Sequence, residues 1–252
     1  VSRKGASESW PPRHVCFAPR LGGYLARLQQ EPLGSLLARP AALGRALRRA
    51  SELLALTVEC LDVPAAWILH SAGFSATVGD DSVALGPAPA ELRAPLAAAA
   101  EGPLLAVREA LRKLPPANPA PATLVALPSP ALLAQAAGAG REDWARAVLQ
   151  AIVRSLGELD VLAGVMFDGD DAVSALGRSL EHYRLTPVCV RRGDDSRPLP
   201  PGALAARALI DLSPTHTTPG SELLLTTDGP VSPRVPPEDL LRTSRALLGR
   251  QS

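Results

Sequence analysis

Seven short apolar runs recur along this 252-residue chain, and most are separated by longer stretches in which apolar residues return every three or four positions. Short runs of that kind pack as buried strands, whereas the three-to-four spacing is the stripe of an amphipathic helix. Their alternation is the pattern of a mainly parallel sheet joined by right-handed helical crossovers. Strands are expected over 14–17, 65–70, 123–127, 161–167, 187–190, 208–212 and 222–225. Helices are expected over 40–61, 90–99, 103–114, 131–137, 142–156 and 171–183, with a last one after the Pro-Pro-Glu-Asp start at Pro236.

The length suits a (β/α)8 TIM barrel, for which about 250 residues is typical. One unit is missing from the count. The segment DLSPTHTTPGS at 211–221 is too short and too broken by proline to hold a crossover helix. The expectation is therefore an α/β fold, a TIM-barrel-like domain over 13–252 trimmed to about seven βα units, after a disordered leader at 1–12.

Composition narrows the function classes. Lys and Arg total 26 against 25 Asp and Glu, and no basic stripe interleaved with aromatics is present, which argues against a nucleic-acid partner. Cys16, Cys60 and Cys189 are odd in number and scattered, which suits reduced core thiols rather than a disulfide framework. No apolar run approaches the roughly 20 residues that span a bilayer, so no membrane partner is expected and the address is read as cytoplasmic. No G-x-S-x-G elbow, phosphate loop, H-E-x-x-H or dinucleotide fingerprint occurs at adequate spacing.

In a parallel barrel, chemistry collects where the strands end. Arg20, His70, Asp168, Asp170, Asp171, Arg191, Arg192, Asp194, Asp195, Asp211, His216 and Asp228 all fall at or just beyond expected strand ends. Asp168-Gly169-Asp170-Asp171 reads either as a turn and helix cap or as a carboxylate facing the cavity. Arg191 and Arg192 read either as a self-paired surface loop or as a clamp for a carboxylate or phosphate. His70, with a side chain that titrates near working pH, reads either as a buried hydrogen-bonded histidine or as a general acid. His216 sits in a Thr/Pro loop.

Two segments carry a family resemblance. Leu223 to Gly249 runs from a leucine strand through Thr226-Thr227-Asp228-Gly229 to a P-x-x-P-P-E loop and a closing helix, and Phe17 to Leu25 reads FAPRLGGYL. Both resemble the uroporphyrinogen decarboxylase superfamily, the second at its first-strand exit. The resemblance implies a barrel in which arginines grip a carboxylated tetrapyrrole and an aspartate after the second strand stabilises the protonated pyrrole. The superfamily also includes zinc-dependent methyltransferases acting on corrinoids and thiols, whose zinc is held by one His and two Cys.

Laid on this sequence, the family's paired arginines fall opposite Pro19 and Gly23, its catalytic aspartate opposite Ala72 and a late histidine opposite Asp228. The zinc ligands fall opposite Arg191-Arg192-Gly193 and Gly229. With those positions substituted, the groups that remain at the strand ends give Asp168, Asp228 and His70 as candidate catalytic groups and Arg20, Tyr24, Arg191 and Arg192 as candidate ligand-binding groups, with no metal ligands and no cofactor. The activity the resemblance implies is metal-free, decarboxylase-like (lyase) chemistry on, or binding of, an anionic tetrapyrrole or related carboxylate. The alternatives are a non-catalytic pseudoenzyme that partners a related enzyme and a corrinoid-linked methyltransferase component. Expected partners are an anionic small molecule of the tetrapyrrole or corrinoid class and a second copy of the chain or a related enzyme.

Overall fold

The computed structural model describes residues 10–12, 16–192, 198–209, 224–232 and 234–248. In chain order the elements are β1 (Cys16–Ala18), α1 (Tyr24–Gln29), α2 (Leu33–Ala38), α3 (Pro40–Leu53), β2 (Val58–Asp62), α4 (Ala65–Ser71), β3 (Ala76–Val78), β4 (Val83–Leu85), α5 (Pro95–Ala99), α6 (Gly102–Arg112), β5 (Ala122–Leu127), α7 (Pro130–Ala137), α8 (Glu142–Gly157), β6 (Leu162–Phe167), α9 (Asp171–His182), β7 (Thr186–Arg191), β8 (Leu204–Leu209), β9 (Leu224–Thr227) and α10 (Pro237–Leu248).

Seven strands form one sheet in the order β1-β9-β8-β7-β6-β5-β2, every pair parallel. The two ends of that order also meet. Arg20 forms a parallel bridge with Cys60, and the Leu21 N–H donates to the Cys60 carbonyl at 3.0 Å. The sheet thereby curls into a trimmed TIM-type barrel. Among the described residues no helix separates β7 from β8 or β8 from β9. Residues 211–221, with His216, lie outside the described residues, as do Asp194 and Asp195.

Strand alternation divides the core in two. Ala18, Val58, Cys60, Leu124, Ala126, Met166, Val188, Val190, Ala206, Ala208 and Leu224 fill the barrel interior. Their partners of opposite parity, among them Phe17, Leu61, Val125, Leu127, Val165 and Phe167, pack outward against the helices. Trp10, inside the stretch read as a leader, packs against the interior cluster, and its indole N–H donates to Thr186 Oγ1 at 2.9 Å where β7 begins. Among the described residues no helix is long and apolar enough to cross a membrane.

The second strand is not where the sequence pattern puts it. The AAWILH run at 65–70 is helix α4, entered through Pro64, with Trp67, Ile68 and Leu69 buried. A six-residue apolar run does not distinguish a strand from a buried helix, and the proline at its start is the helix signal. The helix expected over 40–61 ends at Leu53. Ala55 then takes φ 51, and the Leu56 N–H closes onto the Ser51 carbonyl at 2.8 Å, as in a Schellman turn. Leu47, Leu54, Val58 and Leu61 keep helical spacing across this break, and no glycine or proline marks it, so the pattern runs on into β2.

Outside the barrel, β3 and β4 pair as an antiparallel hairpin. Its tip rests on the exit of β1: a Cβ at Gly23 would lie 1.7 Å from the Asp81 carbonyl oxygen, and the Leu33 N–H donates to the Asp80 carbonyl at 2.7 Å.

Candidate active site at the barrel mouth

The interior parity of the strands, followed to or just past their C-terminal ends, lands on a charged residue at five places: Asp62 as the last residue of β2, and Arg20, Asp168, Arg192 and Asp228 just beyond β1, β6, β7 and β9. The five are joined in one alternating chain. Arg20 Nε contacts Asp62 Oδ1 at 2.6 Å and its Nη1 contacts Asp168 Oδ1 at 2.7 Å. Arg192 Nη2 reaches that same Asp168 oxygen at 3.3 Å, and its Nε pairs with Asp228.

The chain runs from a buried inner end to an exposed outer pair. Asp62 is fully buried and Arg20 4% exposed, Asp168 is 11% exposed, and Arg192 and Asp228 are 51% and 41% exposed. The inner contacts are therefore shielded from solvent and salt, whereas the outer pair is screened and contributes little to stability.

Backbone contacts at the seam hold Arg20 in place. Its N–H donates to Thr227 Oγ1 at 3.2 Å, and its carbonyl accepts from the Val231 N–H at 2.9 Å. Thr227 in turn donates to the Gly229 carbonyl at 2.6 Å, where Gly229 takes φ 89 to turn the chain back over β1. Burial alone would lower the Arg20 guanidinium, but Asp62 and Asp168 outweigh it and raise it further above its ordinary value. Burial pushes the Asp62 carboxyl up, against the opposing pull of Arg20. Asp62 Oδ2 is buried without a hydrogen-bond partner and lies 3.4 Å from where a Cβ at Gly22 would sit.

The remaining sequence-derived candidates are placed as follows. Asp170 stands at the N-cap of α9 without a side-chain capping bond and Asp171 in its first turn, so the Asp-rich turn serves both the helix start and, through Asp168, the mouth. His70 is not at a strand end. It lies in the last turn of α4, outside the barrel, with Nδ1 3.4 Å from the Phe74 carbonyl oxygen. Arg191 has the opposite parity to Arg192 and pairs in register with Arg207 on the outer face. Tyr24 is fully buried at the start of α1, its hydroxyl donating to the Val235 carbonyl at 3.0 Å, and burial pushes its phenol up to about 12.

Sequence reasoning missed Asp62, because β2 was read as the end of a helix. The signal was present as Leu61-Asp62 followed by Val63-Pro64, an acid closing a short apolar run. With β2 corrected, the C-terminal end of the second strand carries Asp62, and Ala72 caps the end of α4 outside the barrel.

The zinc reading was tested against the donors present. Cys60 lies inside the barrel beneath Arg20, where burial raises its thiol strongly, while Cys189 has the opposite parity and is pushed up to about 11 by burial. The mouth offers Arg192 and Gly229 at the positions of the soft ligands, and among the described residues no three His, Cys, Asp or Glu side chains are grouped to hold a metal ion. These residues do not fit a His-Cys-Cys zinc site.

Beside the β1 exit a cleft of about 590 Å³ is lined by Arg27, Glu31, Asp80, Asp81 and Arg234.

Compared with known proteins, the chain matches no family model and no curated protein. A solved structure of a methyltransferase from Methanosarcina mazei superposes on it with a TM-score of 0.68 at 13% sequence identity, covering 95% of this chain and 94% of that one. The likeness is one of fold. It extends over nearly the whole of both chains, so the trimmed barrel has a solved counterpart of matching extent.

Proposed function

We propose that the chain is a corrinoid-linked methyltransferase component that binds its carrier at the C-terminal mouth and has no zinc ligand set of its own. The observation that carries a ligand site is the convergence of Arg20, Asp62, Asp168, Arg192 and Asp228 from five strand ends. The near full-length likeness to a methyltransferase barrel supports methyl transfer as its chemistry. The orphaned Asp62 Oδ2 suits an N–H donor on the ligand, since a buried carboxylate oxygen without a partner is costly until one arrives. The arginines suit acidic substituents, which accept two charged hydrogen bonds from a guanidinium fork.

A bound methylcorrinoid would supply a methyl group to an acceptor thiolate, the bond between carrier and methyl carbon breaking with its electron pair left on the carrier as the sulfur–carbon bond forms. The part left to this chain is orientation and the proton. Arg192 would donate to amide carbonyl or phosphate oxygens at the carrier's edge, and the exposed Asp228 carboxylate would be placed to accept the proton that the thiol loses.

A second reading rests on Asp62. A carboxyl raised by burial and held by Arg20 at the end of β2 is suited to deliver a proton to a substrate carbon as carbon dioxide leaves, the lyase chemistry implied by the resemblance. Incubation with methylcobalamin and a small thiol, and separately with uroporphyrinogen, distinguishes the readings by mass spectrometry. A methyl thioether supports methyl transfer, loss of carbon dioxide supports the lyase, and a bound but unchanged ligand makes the chain a binding component. If neither compound binds at micromolar concentration, the reading fails.

A further inference from the structure

The guanidinium groups of the mouth are already engaged. Asp168 Oδ1 accepts from Arg20 at 2.7 Å and from Arg192 at 3.3 Å, so one carboxylate oxygen ties together the two cations that an anionic ligand needs. Among the described residues, three carboxylates face two guanidiniums along this ion chain. An anion entering the mouth as it stands competes with those carboxylates for the two guanidiniums.

We infer that anion binding at the mouth is proton-linked through Asp168: the ligand's acidic group replaces the Asp168 carboxylate on Arg20 and Arg192, and Asp168 takes up one proton from solution as it is displaced. The balance is one anion and one proton bound together, with no covalent bond made or broken. This inference rests on the reading of the mouth as an anion site and adds the condition under which that site opens.

The physical cause is like-charge repulsion. Two carboxylates sharing a partly buried site cannot both stay ionised cheaply, and the system relaxes by protonating one of them. Asp168 is placed for that role because it lies between its neighbours in the burial gradient. Asp62 is locked beneath Arg20, and Asp228 is open to solvent, where water screens its charge. The groups around Asp168 are Arg20 from the β1 exit, Cys60 and Asp62 from β2, Arg192 from the β7 exit, Asp228 from the β9 exit, and Asp170 and Asp171 on its own turn. β5 presents no ionisable side chain there, and residues 210–223 after β8 and 193–197 after Arg192 lie outside the described residues.

The test uses naphthalene trisulfonate, whose charge does not change between pH 5 and 9, so any proton taken up on binding goes onto the protein. Calorimetric titration in two buffers of different ionisation enthalpy counts the protons. The expected result is uptake approaching one proton per trisulfonate, with affinity rising by up to about tenfold for each unit the pH falls. Asp168→Asn should bind more tightly than the wild type at pH 8 and take up fewer protons. Should that variant fail to fold, the wild-type proton count stands alone, and Asp228→Asn, which removes one carboxylate partner of Arg192 but leaves Asp168 on both arginines, should keep the proton uptake. Binding with no proton uptake and no pH dependence overturns the linkage while leaving the anion site intact. No trisulfonate binding at any pH overturns the anion site and the linkage with it.

Discussion

Arg20 and Asp62 meet across the seam that closes the barrel, Nε to Oδ1 at 2.6 Å, with both side chains buried. The contact sits one step above the Arg20–Cys60 bridge, so the pair that organises the mouth also joins the first strand to the second. A buried ion pair is weak evidence for net stability, but breaking it from one side leaves a charge without compensation. Arg20→Met should therefore cost about 3–5 kcal/mol, and adding Asp62→Asn should recover part of that loss. Urea unfolding of the two variants and their combination measures this; additive losses would show that the two side chains do not depend on each other.

The hairpin tip is fixed by a glycine. A Cβ at Gly23 would lie 1.7 Å from a backbone carbonyl oxygen, which cannot rotate away, whereas at Gly22 the nearest approach is 3.1 Å. Gly23→Ala should lose about 1–3 kcal/mol and release the β3–β4 hairpin from the β1 exit, and Gly22→Ala should cost less. Hydrogen exchange at the Leu33 amide, which donates to Asp80, reports the release. Unchanged protection of that amide in Gly23→Ala would contradict the packing described.

Glu59 gives a stability dependence on pH. It is fully buried between β2 and α3, with Oε2 accepting from Ser51 at 2.7 Å and contacting Arg48 at 3.3 Å, while Oε1 accepts from Thr123 at 2.7 Å. Burial raises its carboxyl, against the opposing pull of Arg48, Thr123 and Ser51. The folded protein thus holds this proton to higher pH than the unfolded chain does. The associated stabilisation is complete below the ordinary glutamate value of about 4.3 and is lost as pH rises through the folded value, by at most about 1.4 kcal/mol per unit. The stability of the wild type relative to Glu59→Gln should accordingly fall as pH rises from 4.5 to 7.5. A difference that stays constant or grows would count against it.

Tyr24 separates support of the fold from ligand contact. Its ring is buried and its hydroxyl is used by the Val235 carbonyl, tying α1 to the loop before α10. Tyr24→Phe should lower stability by about 1 kcal/mol and leave ligand affinity at the mouth unchanged. A tenfold loss of affinity without loss of stability would return Tyr24 to the ligand-binding set.

The barrel was legible because βα alternation is written in apolar periodicity, and six of the seven strands overlap the runs that mark them. The exception concealed the site. Val58–Asp62 is a buried strand carrying two acids, which periodicity reads as the polar face of a helix, and its entry relies on a left-handed alanine that leaves no compositional mark. Asp168, Asp228, Arg20 and Arg192 were recognisable from their place beyond strand ends. That Arg191 faces away follows only once the register of β7 fixes which parity points inward. The hairpin β3–β4 is three residues per strand, too short for alternation to show.

Absorbance titration of methylcobalamin and of uroporphyrin against the wild type and Arg192→Ala decides whether the five-membered ion chain is a ligand site. At least one of the two compounds should bind the wild type at micromolar concentration. Loss of Arg192 should remove about 1.5–3 kcal/mol for each charged hydrogen bond it makes to that ligand, a weakening of roughly tenfold or more. Equal affinity of the wild type and Arg192→Ala, or no binding of either compound, would contradict a ligand site there.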